Sequence, residues 1–201
     1  MDFYHDLVTE TSWKLLQRLR RKYEFILIGG WAVFLYTKAL KSKDIDLVLG
    51  YDALEKLKNT FEVRKNARLK KYEARNAEVE IDIYVPHYSN PGLPAEELGK
   101  YATSLEGITT IEKEVLAILK EKALIERAQT VKGRKDLIDF VSLVRLENFS
   151  WERYQGLIRE YGLKKYSAFA RAVLAQTQSV EELELNVHAI AKLKRKILRL
   201  L

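Results

Sequence analysis

Hydrophobic and polar positions alternate along this chain with two different periods, and the change between them divides it. Over residues 3–22 the apolar positions Leu7, Trp13, Leu16 and Leu19 recur at helical spacing and predict a helix. "YEFILIG" then reads as a buried strand, rich in β-branched and aromatic residues. "WAVFLYTKAL" predicts a short helix, "DIDLVLG" a second buried strand and "YDALEKLKN" a second helix. Between Phe61 and Val85 the period falls to two. "FEVRKN", "RLKKYEAR" and "AEVEIDIYV" predict three strands joined by tight turns at Asn66 and Asn76. "HYSNPGLPAEELG", which carries Pro91 and Pro94 just after Pro86, predicts a linker or a loop of the active site.

From about Ile111 the spacing is helical to the end of the chain. Five segments show it, the last being "VEELELNVHAIAKLKRKILRLL", read as one long helix. Ser150 and Ser179 are expected as N-caps and Gly162 as a C-cap. The predicted fold class is therefore α+β: a mixed α/β core with a central mixed sheet over residues 1–105, followed by an all-helical domain over 106–201.

Composition narrows the setting. Of 201 residues, 47% are hydrophobic and 31% charged, so a disordered tail is excluded. No apolar run reaches the ~20 residues of a membrane span. "MDFYHDLVTE" lacks the basic-then-apolar order of a signal peptide, and a cytoplasmic location is expected. With no cysteine there is no thiolate metal site, and the three histidines, His5, His87 and His188, are scattered singly. The formal charge of +7 favours polyanionic partners such as nucleotides or RNA. Oligomeric state is left open.

The candidate chemistry lies in the carboxylates. In "KDIDLVL", Asp44 and Asp46 stand two apart on a strand and project to one face, while Ile45 and Leu47 point to the core. Two carboxylates so placed repel unless a cation neutralises them, and Mg²⁺, which takes oxygen ligands, does so in phosphoryl transfer. In "EVEIDIYV", Asp82 lies between Ile81 and Ile83 as Asp46 lies between Ile45 and Leu47. Glu80 shares its face, so the third acid is Asp82 or Glu80, with Asp82 preferred for its matching flanks. Gly29 and Gly30 sit where a strand turns into a helix, and glycine there lets backbone N–H groups approach a phosphate. Thirteen residues separate Gly30 from Asp44, enough for one helix and a return strand.

Together, "LIGG", that gap, "DIDL" and the later "IDI" resemble the signature of the DNA polymerase-β nucleotidyltransferase superfamily over Phe25–Val85. "KALIERAQTVKGRKDLIDFVSL" is similar to the second region of AbiEii-like toxins and related minimal nucleotidyltransferases. The residues matching that region are Lys122, Arg127, Lys135, Asp136 and Asp139. The resemblance implies transfer of a nucleoside monophosphate from an NTP to an acceptor hydroxyl, with two Mg²⁺ ions, or Mn²⁺ in their place. Asp44 and Asp46 would hold both ions; Asp82 would bind one and help activate the hydroxyl. The turn at Gly29 and Gly30 would hold the triphosphate, assisted by Ser42 and by Lys122 or Lys120. Relatives often carry Arg four residues before the first Asp and Thr two before it. Here Leu40 and Ser42 stand there, with Lys41 and Lys43 as the nearby cations.

The resemblance implies an acceptor among tRNA or other RNA, protein and small molecules; the basic charge favours RNA or protein. It also brings in a toxin role with an antitoxin partner. The competing readings are an inactive relative that binds nucleotide or RNA, and a metal nuclease. Three converging acids disfavour a pure binder of polyanions, and the predicted strands contain no Glu-x-Lys of the kind many nucleases use.

Overall fold

The structure, a computed structural model, describes residues 6–199. His5, the first residues of the helix expected over 3–22, and Leu200 and Leu201 lie outside the described residues. The chain forms two compact units, Met1–Glu112 and Lys113–Leu201. The first is built on a mixed sheet and the second is helical, so the α+β class holds.

In the first unit, helix α1 (Asp6–Leu19) is followed by β1 (Ile26–Ile28), α2 (Gly29–Thr37), β2 (Ile45–Val48) and α3 (Tyr51–Lys58). Three further strands, β3 (Val63–Asn66), β4 (Lys71–Asn76) and β5 (Val79–Tyr84), complete a five-stranded sheet ordered β1-β2-β5-β4-β3. Only the β2–β5 pair is parallel. Alternation sorts the residues to the two faces. Leu27, Leu47 and Ile83 are register partners along one row, Ile45 and Ile81 along the next, and all five are fully buried. The same face takes the helices: Trp31 of α2 is 2% exposed and donates its indole N–H to Ser12 of α1 at 2.8 Å. Trp31 is thus a core residue, packed edge-on to Phe34 and tilted against Trp13.

The two expected turns form. Asn66 accepts the N–H of Leu69 on its side chain across the β3–β4 turn, and Asn76 faces Val79 across a two-residue turn that puts Ala77 at φ +52°. A 3-10 turn (Ala95–Tyr101) and a short hairpin, β6 (Ala102–Leu105) and β7 (Ile108–Ile111), end the unit. The turn of this hairpin places both Glu106 and Gly107 at positive φ, the geometry of a two-residue hairpin loop. Thr110 ties it inward by donating to the Leu27 carbonyl at 2.8 Å. Nothing in the sequence reading anticipated these strands. Their signal is "TSLEGITT", four-residue alternations around a Glu-Gly turn.

The second unit contains α4 (Lys113–Arg127), α5 (Val131–Val144), α6 (Trp151–Glu160), α7 (Lys164–Gln176) and α8 (Val187–Ile197). Ser150 caps α6 by accepting the Arg153 N–H, and Gly162, at φ +65°, follows the end of that helix. Two expectations are corrected. Ser179 caps nothing, and the C-terminal stretch is not one helix. A short 3-10 turn (Glu181–Leu183) ends at Glu184, whose φ of +57° breaks the helical path. A backbone bridge then joins Val180 to Leu185, and α8 starts afresh from Asn186, which accepts the Ala189 N–H. Apolar periodicity ran through both pieces and concealed the break.

Candidate active site

The end of β1 turns directly into α2 at Gly29, which has φ +69°. Ile28, in register with Asp46 of β2, stands at the N-cap and offers no side-chain cap to the first N–H groups of α2. A Cβ built on Gly29 would lie 2.0 Å from Asp46 Oδ2 and 2.8 Å from its Cβ. Glycine is required here both for its φ and because the Asp46 carboxylate fills the space of a side chain. A carboxylate at a helix N-terminus is also favoured by the helix dipole. Gly30 is buried beside it, and Ser42 is buried just before the β2 acids.

Asp44 immediately precedes β2, and Asp46 faces Asp82 of β5 residue for residue in the parallel register. Asp82 faces Glu73 of β4, and Glu73 faces Arg64 of β3. Asp46, Asp82, Glu73 and Arg64 thus form one transverse row on the face opposite the buried Leu27–Leu47–Ile83 row. Glu80 faces Arg75 two pairs along, on the same face as Asp82, and is exposed. A cavity of about 360 Å³ lies along this face, lined by Arg64, Glu73, Arg75, Glu80 and Asp82 among others. A larger cavity, about 620 Å³, lies by Phe25, Leu49, Gly50 and Gly107 and includes none of these acids.

Lys71 of β4, which the sequence reading did not single out, enters the row. Its ammonium is 2.6 Å from Asp82 Oδ2 and 3.1 Å from Glu73 Oε1. Burial works against its charge, but Asp82 and Glu73 outweigh that and hold its pKa above the ordinary lysine value. Asp82 is raised as well, by burial first and then by the charges of Glu73 and Asp44, against the pull of Lys71. The two directions are compatible: two carboxylates hold the one ammonium, while at Asp82 burial outweighs the pull of that ammonium.

A divalent cation is tested by that donor set. Every donor is a carboxylate oxygen, the hard ligand that Mg²⁺ takes, and Asp82 already holds a cation in the Lys71 ammonium. As the side chains stand, no group of three or more His, Asp or Glu among the described residues is arranged to hold a metal ion. The oxygen chemistry of the donors suits such an ion, and the present position of Lys71 competes with it.

In the helical unit, four of the five residues matched to the second region, Arg127, Lys135, Asp136 and Asp139, form with Lys120 an ion network between α4 and α5. Lys120 lies 3.0 Å from Asp136 Oδ1 and 2.6 Å from Asp139 Oδ2. Lys135 lies 2.9 Å from Asp139, and Arg127 donates its Nε–H to Asp136 at 2.6 Å. Burial opposes ionisation of Asp136, yet Lys120 and Arg127 hold its pKa below the usual carboxylate range. Lys120, Lys135, Asp136 and Asp139 are buried, whereas Arg127 keeps 41% of its side chain exposed. Lys122 stands outside the network and pairs with Glu126 on the helix surface. Lys132, Arg134 and Lys135 occupy the first turns of α5, capped by Thr130. Gly133 allows this close approach: a Cβ there would lie 2.1 Å from the Arg127 carbonyl oxygen.

No protein-family model and no curated protein matches the chain. Its fold does match solved structures. JHP933 from Helicobacter pylori superposes with a TM-score of 0.56 at 15% identity, over 97% of this chain and 94% of that one. A Helicobacter pylori protein inferred to be a nucleotidyltransferase superposes with a TM-score of 0.54 at 14% identity, over 98% of both chains. At such identities the likeness is one of fold, and it extends over nearly the whole chain.

Proposed function

We propose that the chain is a nucleotidyltransferase that moves a nucleoside monophosphate from an NTP to an acceptor hydroxyl. The observation that carries the reading is the parallel register of Asp46 with Asp82, one strand from an uncapped helix start at Gly29. The name given to the second Helicobacter pylori neighbour supports it. Asp44, Asp46 and Asp82 would hold Mg²⁺ or Mn²⁺, which supplies charge stabilisation to the phosphates when bound. The N–H groups at the start of α2 would meet phosphate oxygens, beside Ser42 and Lys43. Asp82, in register beside Asp46, would take the proton of the attacking hydroxyl. The hydroxyl oxygen bonds to the α-phosphorus, the bond to the bridging oxygen breaks, and pyrophosphate leaves with its electron pair.

In the helical unit, the exposed Arg127 is the cation of the network most open to a phosphate, while Asp136, itself held by Lys120, fixes its guanidinium. A net charge of +7 favours RNA or protein over a small molecule as acceptor. A toxin held by an antitoxin is the narrower form of the reading, through the likeness to AbiEii-like proteins. The test is incubation with each labelled NTP, Mg²⁺ and total RNA or cell extract. Label in RNA or protein that disappears with Asp46→Ala bears the proposal out, and equal transfer by that variant overturns it. The Lys71–Asp82 pair favours one alternative, an inactive nucleotide-binding relative. Measurable NTP binding without transfer to any acceptor would select it.

A further inference from the structure

We infer that Lys71 is a movable counter-ion: it neutralises Asp82 while no divalent cation is bound and shifts onto Glu73 when one arrives. The inference rests on the nucleotidyltransferase reading for the purpose of the ion, and on the geometry for everything else. Lys71 and Glu73 are two apart on β4 and share a face, and Glu73 is the register partner of Asp82. The ammonium therefore lies between two carboxylates, 2.6 Å from Asp82 and 3.1 Å from Glu73. With 12% of its side chain exposed, the stem is packed and the end of the chain does the moving.

An ammonium and a divalent cation cannot both sit on one oxygen of a half-buried carboxylate, since their repulsion is poorly screened there. Glu73 offers the ammonium a second place. It is more exposed than Asp82, at 41% of its side chain against 21%, so it is the less costly carboxylate to leave facing water. It is also held ready, because Asn66 donates its side-chain N–H to Glu73 Oε1 at 2.9 Å. Asp44 and Glu73 both raise the cost of charge on Asp82, so removing Lys71 takes away the ammonium that faces Asp82 and Glu73 together. Lys71 thus supplies positive charge to the row while no divalent cation is bound, and makes divalent-ion binding weak until a second source of attraction, such as a triphosphate, joins it. Lys71 acts through Asp82 and is a positioning residue.

The experiment is a Mn²⁺ titration of the full chain without nucleotide, at about pH 8, followed by the paramagnetic resonance of free Mn²⁺. Lys71→Met should bind Mn²⁺ about tenfold more tightly than the parent, or more, since the competing cation is gone. The gain should vanish in the Lys71→Met/Asp46→Ala double variant. Lys71→Arg, which keeps the charge, should stay near the parent, and Glu73→Gln, which removes the second resting place, should bind more weakly. A lysine that only supported the structure would weaken binding when replaced, so unchanged or weaker affinity in Lys71→Met overturns the inference. If Lys71→Met does not fold, Glu73→Gln alone decides, and unaltered affinity there is equally fatal. Nucleotide transfer is scored separately. Transfer by the parent with no Mn²⁺ gain in Lys71→Met sinks the counter-ion and spares the enzyme; the gain without any transfer does the reverse.

Discussion

The backbone of Gly29 and the carboxylate of Asp46 share one space, so closely that a Cβ on residue 29 would come within 2.0 Å of Oδ2. Gly29→Ala therefore strains the backbone at φ +69° and drives a methyl group into Asp46. It is expected to cost about 2 kcal/mol or more, read as a lowered urea midpoint. Gly50→Ala is the control: no atom lies within 4 Å of its Cβ, and its midpoint should stay within about 0.5 kcal/mol of the parent. Equal midpoints for the two variants would contradict the packing of Asp46 on Gly29.

The choice between Asp82 and Glu80 as third acid becomes a paired comparison. Asp82 stands beside Asp46 in register, while Glu80 is exposed and faces Arg75. Asp82→Asn should lower the transfer rate by about 100-fold or more, a magnitude typical of losing a group that acts in the transition state. Glu80→Gln should leave the rate within about twofold. The reverse ranking, measured with one labelled NTP, would move the third acid to Glu80.

Lys120 and Lys122 separate structural from surface cations on one helix. Replacing Lys120 by Met leaves Asp136 and Asp139 buried with one cation fewer, at an expected cost of about 3 kcal/mol. Lys122→Ala breaks only the surface pair with Glu126, worth about 0.5 kcal/mol or less. Denaturant melts of both variants give the comparison. A Lys122 effect as large as that of Lys120 would refute it.

Glu121 sets a pH dependence for the helical unit. It is fully buried, and burial pushes its pKa up to about 8, against the hydrogen bond that Tyr154 donates to Oε1 at 2.5 Å. Its Oε2 has no hydrogen-bond partner. A raised folded-state pKa means that the neutral form is the one the fold favours. The contribution is complete below the unfolded value of about 4.5 and is lost as the pH rises through about 8. The change is on the order of a few kcal/mol. Thermal melts of the parent should fall over that window, while Glu121→Gln, neutral throughout, should flatten the decline. Parallel curves for the two chains would show that Glu121 does not titrate with folding.

Much of the architecture was legible because it is local. Alternation in "DIDLVL" and "VEIDIYV" places Ile45, Leu47, Ile81 and Ile83 in the core and the aspartates on the other face, whatever the neighbours. The helices from α4 onward follow from spacing in the same way. The β6–β7 hairpin was too short for its period to stand out, and in the last segment apolar spacing continued across a break made by one residue, Glu184.

The sequence by itself determined which residue types face the core and which are left to do chemistry, since side-chain direction alternates with the chain. Only the tertiary structure decided who stands next to whom. That β5 lies parallel beside β2, with residue 82 opposite 46, depends on a crossover that no local period records. The same holds for Lys71, whose bond to Asp82 exists only through the β4–β5 register. It holds for Gly29, whose role as the seat of the Asp46 carboxylate depends on the register of β1 with β2. Burial and pairing across strands are long-range, so the charge balance of the row emerges only once the sheet is assembled.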